Sequence, residues 1–141
     1  MRFKIFVFLL LLLSCKNESK ETIIFKKYLE TTHHLEIPEN SNIYIVFPKL
    51  ACKGCVQDLI GNIADNLDKN KTYTFIVSNT SIYFPANLSS IGKWHFDKKG
   101  DIDKINLGLS NLTIIKTNKG QVVSVIPIDI GEYDKLTKAL E

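Results

Sequence analysis

The sequence predicts an α/β fold, a mixed sheet flanked by helices with an extra helix at the N-terminal end. Three observations predict it. Two apolar runs of strand length, Ile43–Phe47 and Tyr73–Val77, bracket an amphipathic segment from Val56 to Leu67. Two further strand-like runs, Leu112–Lys116 and Val122–Ile126, are joined by the hairpin signal Thr117-Asn118-Lys119-Gly120, and a short helical pattern closes the chain. The chain is 141 residues with 45% hydrophobic side chains, which is room and material for one core.

Taken in order, Met1–Lys4 is a cationic head carrying Arg2 and Lys4, and Ile5–Leu13 is an unbroken apolar run of nine. A membrane-crossing helix needs about 20 apolar residues, so this run reads as a secretory signal over 1–14. Its end, Leu12-Leu13-Ser14-Cys15, resembles the lipobox of bacterial lipoproteins, with a branched apolar residue, a small residue and then the lipidated cysteine. The resemblance implies cleavage before Cys15 and acylation there, including palmitate-type chains, since two or more chains turn marginal partitioning into stable anchoring. The expected location is the bacterial cell envelope, outside the cytoplasm and anchored by lipid. Residues 15–22, rich in Lys, Asn, Glu and Ser, read as the lipidated terminus and tether, and 23–141 as the folded domain.

Ile24, Phe25, Tyr28, Leu29, Thr32 and Leu35 fall at helical spacing, opposite Lys26, Lys27 and Glu30. Pro38–Asn42 is a turn, and Ile43–Phe47 is a strand covered on both faces. In the next helix Val56, Leu59, Ile60, Ile63, Ala64 and Leu67 form one apolar stripe, with Asp58, Asp65 and Asp68 facing out. From Ser78 to Leu109, Pro85, Gly92, Gly100 and Gly108 interrupt any pattern, and a short helix is expected on either side of Trp94. The last helix, Glu132–Leu140, turns Tyr133, Leu136 and Leu140 inward.

Charge excludes one class of partner. The formal charge is +3, but without Arg2 and Lys4 the remaining 16 Lys face 15 Asp and Glu, and no Arg is left. A chain without guanidinium forks and near neutrality is a poor nucleic-acid or phosphate binder, and no nucleic-acid partner is expected. No P-loop, dinucleotide fingerprint or Ser-His-Asp arrangement is present.

The chemistry concentrates in Cys52-Lys53-Gly54-Cys55, between the first strand and the long helix. A cysteine at a helix N-terminus sees unpaired N–H groups and the positive end of the helix dipole, both of which favour thiolate, and Lys53 adds charge of the same sign. Cys52 is expected to be exposed and nucleophilic, and Cys55, one turn in, to resolve the mixed disulfide. Three uses of the pair stay open on this reading: reversible dithiol–disulfide chemistry, a structural disulfide, or a soft metal ion. No cofactor and no resident metal are expected. His33-His34 reads as a solvated face, because adjacent helical residues point about 100° apart. Trp94 reads as a core residue and Lys98-Lys99-Gly100-Asp101 as a turn.

The strand–CxxC–helix order, followed by a hairpin and a helix from Ile43 to Glu141, resembles the thioredoxin-like superfamily, within it the membrane-anchored extracytoplasmic reductases of the cytochrome-maturation type. The resemblance implies catalytic Cys52 and Cys55, cysteine-containing extracytoplasmic proteins as substrates, and a membrane redox partner. Three positions depart from that pattern: Ala51 stands where Trp is usual, Lys53-Gly54 replaces a Pro-containing pair, and Ser110-Asn111 occupies the substrate flank where a cis-proline is usual. Copper-chaperone relatives use Cys-x3-Cys and a distant His, whereas the spacing here is x2 and His95 is the one histidine beyond the pair. The alternative to an enzyme is a non-catalytic lipoprotein of this fold that holds a partner or a soft metal.

Overall fold

The computed structural model describes residues 18–49, 51–78 and 81–141. The signal segment, Cys15 and the first part of the tether lie outside the described residues. Helix α1 (Lys20–Tyr28) starts inside the segment read as tether, capped by Ser19, whose hydroxyl accepts the Thr22 N–H. The helix then widens into a π-type turn over Leu29–His33 and stops at His34, which adopts the left-handed conformation with φ 56°. This corrects the expectation of one regular helix to Leu35. The Thr31 hydroxyl bonds the Lys27 carbonyl, and the N–H groups of His34 and Leu35 both turn back to Leu29 O.

Strands β1 (Asn42–Phe47), β2 (Tyr73–Val77), β3 (Lys93–Phe96), β4 (Leu112–Asn118) and β5 (Gln121–Ile128) form one sheet in the order β3-β2-β1-β4-β5. The first three are mutually parallel, and β4 and β5 are antiparallel additions on the other side of β1. Helix α2 (Lys53–Asn66) links β1 to β2, a short α3 (Ala86–Ser89) precedes β3, a 3₁₀ turn covers Ile102–Lys104, and α4 (Tyr133–Leu140) ends the fold. Two of these pieces, α3 and the 3₁₀ turn, stand on either side of Trp94 as expected, but Trp94 itself lies in a strand that the sequence did not announce. Gly92 leads into that strand at φ +74°, where an added Cβ would lie 2.6 Å from the Tyr73 carbonyl oxygen, so a side chain is excluded there by both conformation and space.

Alternation along β1 divides the core in two. Ile43, Ile45 and Phe47 join Val56, Leu59, Ile60 and Ile63 of α2 and Leu136, Ala139 and Leu140 of α4. Tyr44 and Val46 join Phe25, Tyr28 and Leu29 of α1, with Ile76, Ile102 and Ile115. The sheet is thus covered by α2 and α4 on one face and by α1 with the 3₁₀ segment on the other. Helix α1 is tied to the sheet by a buried hydrogen bond from Val122 N–H to Thr22 Oγ1. The hairpin turns at Lys119 and Gly120, both with positive φ (51° and 71°), as a two-residue turn between twisted strands requires. Trp94 packs on the α2 face, stacked on Phe75 with centroids 4.1 Å apart. No helix among the described residues is long and apolar enough to cross a membrane.

Candidate redox site

Parallel β1, β2 and β3 all end on the same side of the sheet, and antiparallel β4 begins there. At β1 the chain goes to β2 on one side and receives β4 on the other, which makes this edge the topological switch point. The connection leaving β1 carries the cysteines to that place. It is pinned by Asp103, whose Oδ1 accepts the Lys49 N–H at 2.8 Å and whose Oδ2 accepts the Ser78 hydroxyl at 2.9 Å.

Cys52 is the N-cap of α2 and Cys55 lies in its first turn, and the two are joined by a disulfide with Cα atoms 5.2 Å apart. Cys52 and Lys53 are exposed, and Cys55 is half-buried. No acidic residue stands in the first turn of α2, so nothing there opposes the helix's positive end or the Lys53 charge. In the reduced state a thiolate at Cys52 therefore has favourable electrostatics and access, while Cys55 is sheltered behind it.

Asn111 lies against the cysteines. Its Oδ1 accepts the Cys52 N–H at 3.3 Å, and its Nδ2 reaches Asp129 Oδ1 at 3.4 Å in the turn after β5. Every described peptide bond is trans, Asn111's included. The Ser110 hydroxyl donates to the carbonyls of Leu112 and Ile128 and fastens the start of β4 to β5. A cavity of about 310 Å³ opens beside the pair, lined by Pro48, Ala51, Asp103, Leu109, Ser110 and Asn111.

Two features were missed in sequence. Gln57, two residues past Cys55, holds both backbone groups of Tyr83: its Nε2 donates to Tyr83 O at 2.9 Å and its Oε1 accepts Tyr83 N–H at 3.3 Å. Tyr83 is thereby fixed near the start of α2 with its side chain 70% exposed. Tyr133 donates to Asp58 and joins α4 to α2, and that bond pushes the tyrosine's pKa up. No sequence pattern marks either pair, because each joins residues far apart in the chain.

Asp97, 1% exposed, accepts from Tyr28 and from the Ile102 N–H on the α1 side of the sheet. Comparison of the chain with protein-family models, with curated proteins and with solved structures returned no match.

Proposed function

We propose that the chain is a thiol–disulfide oxidoreductase of thioredoxin-like type, acting on extracytoplasmic protein cysteines from a lipid anchor at Cys15. The observation that carries it is the disulfide at the N-terminus of α2, with Cys52 exposed and Cys55 half-buried, at the switch point of the sheet. In the reducing direction Cys52 thiolate attacks one sulfur of a substrate disulfide, forming a mixed disulfide and releasing the first substrate thiolate. Cys55 thiolate then attacks Cys52 Sγ, releasing the second and closing Cys52–Cys55; two electrons have passed to the substrate. A membrane dithiol partner returns two electrons, and the opposite cycle runs by the same steps reversed.

The trans Asn111 in the flank favours a second reading, a binding module whose disulfide does not turn over. Trapping separates the two. Cys55→Ser should accumulate mixed disulfides between Cys52 and envelope proteins, resolved by dithiothreitol, and Cys52→Ser should not. Absence of trapped species with Cys55→Ser contradicts the oxidoreductase.

A further inference from the structure

His33 and His34 do not pair, but the fold brings His33 to His95, 62 positions away in sequence. Their ring centroids are 5.4 Å apart, tilted by 59°, where the turn after α1 passes over β3. We propose that His33 and His95 form a binding site for a divalent first-row metal ion of the Cu²⁺ or Zn²⁺ class, apart from the disulfide and on the opposite face of the sheet.

Three observations support the site. The first is spacing: two imidazoles on one tetrahedral ion, with metal–nitrogen bonds of about 2.0–2.1 Å, hold their centroids about 5 Å apart. The second is the support behind His33. Its Nε2 lies 2.9 Å from the Tyr28 hydroxyl, which in turn donates to Asp97 Oδ2 at 3.3 Å. In the tautomer that binds metal, the hydroxyl donates to Asp97, the phenolic oxygen accepts from His33 Nε2–H, and Nδ1 keeps its lone pair. An outer acceptor that fixes tautomer and ring orientation is the usual backing of a metal-binding histidine.

The third is an unsatisfied buried oxygen beside the pair's support. Asp97 is almost completely buried, and its Oδ1 has no hydrogen-bond partner, although buried carboxylates are ordinarily satisfied. Neutral imidazoles are the form that binds metal. His95 also lines an open cleft of about 280 Å³ between the α1–β1 connection and β3, which gives an ion a path from solvent. Water or a partner's side chain would complete the coordination.

The test uses the full chain with its disulfide intact, titrated with Cu²⁺ and with Zn²⁺ in a non-chelating buffer. One equivalent should bind, and diamagnetic Zn²⁺ should shift the ring-proton signals of His33 and His95 well beyond those of His34. His33→Ala and His95→Ala should each abolish the site, and His34→Ala should leave it. Tyr28→Phe, which keeps both ligands and loses the support behind His33, should weaken binding by about 10–100-fold. The Cys52→Ser/Cys55→Ser double variant should bind as the wild type does, so this proposal and the redox reading stand or fall separately. Absence of saturable binding, binding unchanged in both His33→Ala and His95→Ala, or loss with the cysteines would each overturn it. The ring-proton measurement needs no variant and decides the matter even where a substitution disturbs folding.

Discussion

Asn111 ties the chain entering β4 to the start of α2. Its amide accepts the Cys52 N–H and reaches Asp129, so it positions the cysteine backbone by hydrogen bonding rather than by a rigid ring. Asn111→Asp places a carboxylate beside Cys52. The negative charge disfavours the thiolate, so the Cys52 pKa should rise by about one unit and its alkylation by iodoacetamide at neutral pH should slow about tenfold. Asn111→Ala should leave the pKa closer to wild type. Equal alkylation rates for the wild type and the Asn111→Asp variant, measured on the reduced chain, contradict the contact. The placement of Asn111 was legible by counting back from the Thr117–Gly120 turn, because a β-strand advances at a fixed rise per residue. Ser110, beside it, bonds the Ile128 carbonyl of β5 and lines the same cavity as Asn111.

At the scale of elements, long apolar patterns gave the right answer and short ones did not. β1 and β2 are buried on both faces, as unbroken apolar runs imply, α2 and α4 each bury one apolar stripe, and the hairpin turns where its Asn-Lys-Gly signal stands. β3 has only four residues, Lys93 to Phe96, and neither end is buried; pairing with β2 makes it a strand, and no local alternation announces that. The end of α1 escaped for the opposite reason, since the spacing of Tyr28, Leu29, Thr32 and Leu35 fits a regular helix while the backbone widens by side-chain bonding to its own carbonyls. Two glycines separate conformational need from composition. Gly61 sits inside α2 with nothing within 4 Å of an added Cβ, so Gly61→Ala should stabilise the chain by about 0.5–1 kcal/mol. Gly92→Ala meets both a positive φ and the Tyr73 carbonyl, and should destabilise by more than about 1 kcal/mol. Urea midpoints of the two variants check both signs together.

For the molecule as a whole, the sheet separates two chemistries. The disulfide opens α2 at the strand ends, and the Tyr28–His33–His95–Asp97 cluster lies under α1 on the other face. The disulfide was legible because C-x-x-C spacing brings the two cysteines together at the start of a helix. The second was not, because His33 meets His95 only through the tertiary fold. The anchoring reading rests on Leu12-Leu13-Ser14-Cys15, and Cys15→Ser should move the protein from the membrane to the soluble fraction or leave an uncleaved precursor, checked by fractionation and mass spectrometry. The central claim is that Cys52 and Cys55 cycle between dithiol and disulfide, and equilibrium redox titration of the chain tests it most directly. The account predicts a single two-electron transition with a midpoint above about −300 mV, in the range of exchanging couples. A midpoint below that value, or a disulfide that no thiol buffer reduces while the chain stays folded, would contradict it.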